Sequence, residues 1–419
     1  MTRFKDVLTT RGRAFVAAGL TLVVTGLGLG LGDLTRIGVL LVALTVLASL
    51  TSRRALPELS VERRVRPARL AVDEVATVEV EFGNTGTRRS PILMAEERVD
   101  YTLGDRPRFV LPRMAPGERR EVSYAIRSHL RGRHRLGPLT LRIRDPFGLS
   151  ARAVALSSTS EVLVLPRVEE LTSGRAGGEG IGAEGVIPHM VALHGEDDVA
   201  IREYRDGDDL RRIHWPATAH QGELMVRQED RPARRRAVLV LDSRAVGHRG
   251  SGASGSFEWA VSAVASVAVH LAGHGYAVHL VSHESVTEGR SAELIDVDSA
   301  LEALALAGTD PGPTLDEVLH AAHPLTAAGG LVVAVATDHD EELLRQLLTL
   351  RQPGGVALLL LLDSASFAHG GSTGGNRAED LAEVARAAGW GTRVVRSGES
   401  IARAWAAVST GSSRIGVGG

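Results

Sequence analysis

The chain has 419 residues, of which 44% are hydrophobic and 23% charged, and its formal net charge is −2. That balance is globular, excludes a wholly disordered chain, and gives no global attraction to nucleic acid or acidic surfaces. Cysteine is absent, which excludes disulfide frameworks, thiolate zinc sites and every cysteine nucleophile.

Ala14 to Leu31 is a continuous uncharged run, and Ile37 to Leu50 is a second, with Gly32-Asp33-Leu34-Thr35-Arg36 between them. About 20 apolar residues cross the hydrocarbon layer as a helix. The first run reaches that length nearly alone. The second does so over Leu34 to Thr51, with Arg36 snorkelling at one end. Residues 1–54 are therefore expected to form a two-helix transmembrane hairpin in the lipid bilayer. Arg3, Lys5, Arg11 and Arg13 flank one end and Arg53 and Arg54 the other. Positive charge stays inside, so both termini are expected in the cytoplasm, in a two-pass protein of the cell membrane. The competing reading is a cleaved signal peptide on a secreted adhesion module. It shares the basic start, but no Ala-x-Ala site follows the first run.

Residues 55–170 read as a β-sandwich, immunoglobulin-like in outline. Val75 to Phe82 alternates with period two and ends in Gly83-Asn84-Thr85-Gly86; Arg119 to Ile126 and Leu139 to Ile143 continue the pattern. Asp145-Pro146-Phe147-Gly148 reads as a tight turn with a buried aromatic. Residues 171–236 form the next segment. Its Gly-Gly-Glu-Gly-Ile-Gly lacks the entering strand and leaving helix that a phosphate loop requires.

The densest pattern follows. Arg202, Glu203, Tyr204, Gly207, Asp208, Arg211 and Trp215 precede Gly222-Glu223-Leu224-Met225-Val226-Arg227. Arginine forks pair carboxylates at two points, so these residues suit a salt-linked belt that docks the segment onto the next domain, with Tyr204 and Trp215 packed beneath. Arginine and aromatics also dominate protein-binding hot spots, so a partner-binding face fits equally. Arg231, Arg234, Arg235 and Arg236 are diluted by Glu223, Glu229 and Asp230, and no nucleic-acid partner is expected.

Residues 237–419 read as α/β. Ala237 to Asp242, Leu331 to Ala336 and Val356 to Leu362 are apolar runs alternating with helical stretches, which predicts a mainly parallel sheet with helices on both faces. Ligands of such sheets bind outside the strands' carboxyl ends, where Asp242, Asp338 and Asp363 fall. Asp242 and Asp338 resemble parts of the metal-ion-dependent adhesion site of von Willebrand factor A domains, whose pattern is Asp-x-Ser-x-Ser, then Thr, then Asp. Thr314 would be the middle ligand and Mg²⁺ the metal, on which a hydrolase or phosphotransferase would be built. The hydroxyl positions after Asp242, however, hold Arg244 and Val246, and Thr314-Leu315-Asp316-Glu317 is also a capping box. No cofactor and no enzymatic activity are expected. His189, His194, His214 and His220 lack metal-ligand spacing and read as surface residues.

The run from Asp197 to Asp242, continuing through Phe257-Glu258-Trp259-Ala260, resembles the family called domain of unknown function 58. The resemblance extends to the hairpin, the sandwich and the α/β domain. It implies a membrane-tethered adaptor for a MoxR-type AAA ATPase and, in some members, a transglutaminase-like membrane protein nearby. The chain has no Gly-x-x-x-x-Gly-Lys-Ser/Thr loop, so ATP hydrolysis would belong to the partner.

Overall fold

The computed structural model describes residues 4–54, 58–145, 147–172, 200–203, 213, 215–228, 235–309, 315–327, 329–368 and 376–411. They fall into two units, Met1–Leu165 and Pro166–Gly419.

In the first unit a strand, β1 (Phe4–Leu8), precedes the apolar helices α1 (Thr10–Leu29) and α2 (Gly32–Arg54). Thr9 caps α1 by accepting a hydrogen bond from the Gly12 amide, and Gly30 closes it in the left-handed conformation at φ 70°. The helices pack antiparallel through small residues. A Cβ on Gly19 would stand 2.8 Å from the Gly38 carbonyl oxygen, and one on Gly38 2.6 Å from that of Gly19. Backbones come this close only where side chains are absent. Both helices are long and apolar enough to cross a membrane, and Leu20, Val24, Leu27 and Leu40 face outward.

The strands that follow are β2 (Leu59–Arg66), β3 (Arg69–Ala71), β4 (Val75–Asn84), β5 (Leu93–Val99), β6 (Arg108–Leu111), β7 (Arg119–Arg127), β8 (Gly132–Arg144), β9 (Ser150–Leu156) and β10 (Ser160–Leu165). β2, β4 and β7 form one antiparallel layer. The other runs β1-β9-β8-β10-β3, with β5 and β6 branching from β8. Alternate residues of the two layers meet in one core: Val78, Val80 and Phe82 of β4 face Leu139, Leu141 and Ile143 of β8. A buried ion pair spans the layers, Arg63 Nη2 of β2 lying 3.0 Å from Glu97 Oε1 of β5, and Ser158 Oγ accepts from Arg63 Nη1 at 2.6 Å. Burial pushes the Glu97 carboxyl up despite the charge and hydrogen bonds of Arg63.

The hairpin joins this sandwich directly. β1 pairs antiparallel with β9, Phe4 opposite Val154 and Leu8 opposite Ser150. Thr9 donates its amide to the Leu149 carbonyl at 3.0 Å and its hydroxyl to that of Gly148 at 2.7 Å. The turn at Asp145 is tight as expected, its carboxylate accepting from the Phe147 amide at 2.8 Å. The aromatic is not buried. Phe147 is 58% exposed, because the turn's own hydrogen bonds hold its backbone outward and no core layer reaches it.

The second unit starts with Pro166. Glu169 accepts hydrogen bonds from Ser400 and Ala402, and Leu171 enters the α/β core. β11 (Ala200–Glu203), α3 (Trp215–Gln221) and β12 (Met225–Gln228) come next, with β11 and β12 antiparallel. The remaining elements alternate: β13 (Arg236–Leu241), α4 (Ser256–Gly273), β14 (Ala277–Val281), α5 (His283–Thr287), α6 (Val297–Leu306), α7 (Leu315–Ala327), β15 (Leu331–Thr337), α8 (Glu341–Leu348), β16 (Val356–Leu362), α9 (Arg377–Ala387), β17 (Gly391–Val395) and α10 (Ile401–Gly411). The five strands of β14-β13-β15-β16-β17 are all parallel. Neighbouring residues feed opposite cores, Leu239 and Leu241 one face and Val238 and Val240 the other. α4 also has the length and hydropathy of a membrane span, but its apolar residues fill the core under β13.

Candidate functional site: the carboxyl edge of the parallel sheet

β13 and β15 are neighbours, and the strand order reverses between them. Their carboxyl ends place Asp242 next to Thr337 and Asp338, where open α/β sheets bind ligands. Asp242 is fully buried and engaged on both oxygens. Arg244 Nε donates to Oδ1 and Nη2 to Oδ2, each at 2.9 Å. The Arg244 amide adds a bond to Oδ1 at 3.2 Å, and the Thr337 hydroxyl one to Oδ2 at 3.2 Å. Arg244 Nη1 lies 3.5 Å from Asp340 Oδ2. The guanidinium, itself buried, thus lies between two carboxylates.

Electrostatics follow from that placement. Burial raises the Asp242 carboxyl's pKa, but the hydrogen bonds and charge of Arg244, with His248 nearby, outweigh it, and the net shift is downward. Burial opposes the charge on Arg244 too, yet Asp242, Asp340 and Asp316 hold it above its ordinary value. His248 is pushed down, mainly by burial. Its Nε2 faces the Asp242 carbonyl at 2.8 Å and its Nδ1 the Ser256 hydroxyl at 3.0 Å. One donor and one acceptor suit a neutral imidazole protonated at Nε2.

Asp338 is separately satisfied. Ser364 donates to its Oδ1 from the hydroxyl at 2.6 Å and from the amide at 3.2 Å, and Arg377 Nε donates to its backbone carbonyl at 2.8 Å. Asp363 faces Arg396 at 3.5 Å. Gly247 closes the edge: a Cβ there would stand 2.2 Å from Thr337 Oγ1. Sequence reasoning placed Asp242 and Asp338 at this edge and flagged Arg244. It missed Thr337 at the end of β15, Asp340 at the start of α8, and His248 and Ser364, which follow β13 and β16 and carry no spacing signal towards them. Thr314 lies outside the described residues.

These residues do not fit a resident Mg²⁺. The metal pattern needs free carboxylate oxygens and hydroxyls after Asp242, whereas Arg244 already covers both oxygens with a fixed positive charge and Val246 is exposed. Among the described residues no cluster of three or more His, Asp or Glu is arranged to hold a metal ion.

The signature is only partly described. Arg202 and Glu203 lie on β11, with Arg202 opposite Val226 and Glu203 opposite Met225; Arg227 lies on β12, opposite Ile201. Tyr204, Gly207, Asp208 and Arg211 fall outside the described residues, as do His189, His194 and His214. Trp215 opens α3 and is 66% exposed, not packed beneath a belt, because its seven-residue helix buries no side chain. His220 lies in the last turn of the same helix, exposed.

Residues 200–293, from β11 through the edge residues Asp242, Arg244 and His248, match the family model described as "Protein of unknown function DUF58". Over that stretch the chain carries the DUF58 family signature. No curated protein matches it significantly. Among solved structures, this chain is similar to the CARDB domain of the PF1109 protein from Pyrococcus furiosus, crystallised with di-metal ions. The identity is 20%, covering 26% of this chain and 94% of that one, with a TM-score of 0.20. It is also similar to the alkylpurine DNA glycosylase AlkC from Pseudomonas fluorescens bound to DNA, at 18% identity over 29% of this chain and 34% of that one, TM-score 0.20. A third is the ApaA protein from Bordetella pertussis, at 15% identity over 25% and 91%, TM-score 0.19. At these scores the likenesses carry no argument.

Proposed function

We propose that this DUF58 protein is a membrane-anchored, cytoplasm-facing adaptor that binds proteins and does not transform a substrate. Its second unit would be a von Willebrand factor A-like domain and its first an immunoglobulin-like sandwich. The observation that carries the reading is Arg244. A side-chain cation sits where the related adhesion pattern would recruit a metal, so the sheet edge keeps the charge arrangement without needing an exchangeable ion. Support for the topology comes from β1: pairing with β9 ties the chain before α1 to the sandwich after α2, so two crossings would leave both on one side. The basic flanks argue that this side is the cytoplasm. The partner implied by the resemblance is a MoxR-type AAA ATPase, with the exposed Trp215 and the β11–β12 arginines as its docking face.

Crosslinking in cells followed by mass spectrometry tests the adaptor role. The native chain is expected to capture a AAA ATPase, and Arg202→Ala with Trp215→Ala to lose it while the fold persists. An unchanged set of crosslinked partners would remove the signature from the docking face. Turnover of a phosphoester or acyl substrate by the purified protein, lost in Asp242→Ala, would replace the adaptor reading with a hydrolase.

A further inference from the structure

The end of the Asp145–Gly148 turn and the start of β9 meet the apolar hairpin. Thr9, which caps α1, donates to the carbonyls of Gly148 and Leu149. Gly12, one turn into the helix, packs so closely that a Cβ there would stand 2.1 Å from the Leu149 carbonyl oxygen. On the other helix, Ser150 Oγ donates to the carbonyl of Ala48 at 3.3 Å. Ala48 lies two residues inside the end of the second apolar run, roughly 3 Å along the axis from Leu50 at the helical rise per residue. The turn is therefore level with Val46, Leu47 and Leu50, whose side chains face outward. At this height it presents Phe147, 58% exposed. Arg144 before the turn, and Arg11 and Arg13 in the first turn of α1, are exposed as well.

We propose that this turn is a membrane-contact site, in which Phe147 inserts into the headgroup boundary of the bilayer while Arg11, Arg13 and Arg144 meet anionic lipid headgroups. An apolar tip flanked by basic side chains is the composition that binds such interfaces. The occupant is lipid because the tip is continuous with the outward face of two helices of spanning length. Asp145 does not present its carboxylate at the surface: the group is buried and accepts from the amides of Phe147 and Ser150. The sandwich would thus rest on the membrane through a third foothold beside the two helices. This inference rests on the membrane reading above.

The chain has no cysteine, so single-cysteine spin labels can be placed without background. Phe147→Cys, Leu20→Cys and Tyr101→Cys are labelled in the full chain, reconstituted in vesicles of phosphatidylcholine and phosphatidylglycerol. Leu20 faces outward on α1, and Tyr101 is 89% exposed on the sandwich. Collision of each label with oxygen, and with a water-soluble nickel chelate, is read by electron paramagnetic resonance. We expect an oxygen-to-nickel ratio at 147 several-fold above that at 101, approaching that at 20. A label at 147 as open to nickel as that at 101, with 20 still protected, overturns the membrane contact but leaves the spanning hairpin intact. A label at 147 shielded from both oxygen and nickel means that protein covers the turn, which also overturns it. A label at 20 open to nickel overturns the hairpin and the contact together.

Discussion

At the scale of single residues, Arg244 decides how the sheet edge behaves. A buried pair of this geometry is not a large net source of stability, because both charges lose their hydration. Removing one partner is costly, since the other remains buried and uncompensated. Arg244→Ala is therefore expected to lower unfolding stability by about 3–5 kcal/mol in denaturant titration. Arg244→Ser tests the same idea from the other side: it frees the Asp242 oxygens and places a hydroxyl two residues on. Its unfolding temperature is expected to climb with Mg²⁺, while that of the parent chain stays flat. A parent chain stabilised by Mg²⁺, with the effect lost in Asp242→Ala, would return a metal to this edge.

Elements show which kinds of information a sequence carries. β13, β15 and β16 are legible because a strand covered on both faces must be a continuous apolar run, and α1 and α2 because few soluble elements are apolar all round. β1 is illegible: Phe4 to Leu8 is a short mixed run whose partner strand lies some 140 residues away, as the Thr9–Leu149 bond records. Phe147 was misread because a turn motif specifies its backbone and not its surroundings. The site was half legible, since strand-end carboxylates follow from topology, but His248 and Ser364 reach Asp242 and Asp338 only once the loops after β13 and β16 fold. The helix–sandwich junction yields a further prediction. Gly12→Val places atoms where the Leu149 carbonyl already stands, whereas a Cβ on Gly28 meets nothing within 4 Å. In detergent, Gly12→Val is expected to lower the unfolding temperature by about 2 °C or more, for overpacking of about 1–3 kcal/mol. Gly28→Ala should leave it unchanged.

For the whole molecule, titration and topology are the accessible readouts. Burial pushes His248, His270 and His279, all in the α/β unit, below their ordinary 6.5. A histidine with a depressed folded pKa takes up its proton more readily when unfolded. Each therefore contributes stability that is complete above the unfolded value and lost as pH falls towards the folded one. Differential scanning calorimetry is expected to show the α/β unit weakening as pH falls below 6.5, before Asp242 adds its own loss under 3.8. His248→Gln should flatten part of that slope. Glu97 in the sandwich runs opposite, its contribution present at low pH and lost as pH rises through its raised value. Topology is checked with Tyr101→Cys and Glu342→Cys, both at exposed positions. An impermeant thiol reagent is expected to reach neither in intact cells and both after the membrane is opened. Labelling of intact cells would reverse the orientation.

The pairing of β1 with β9 also sets an order of assembly. Ribosomes deliver Phe4–Leu8 first, yet the residues opposite do not exist until β9 has been translated, long after α1 and α2 have emerged. Phe4–Leu8 must wait unpaired while the two apolar helices are made, and the rim of the sheet is sealed only when both neighbours are present. Nascent chains halted before β9 should therefore hold their leading residues open to protease, and those halted after it should not.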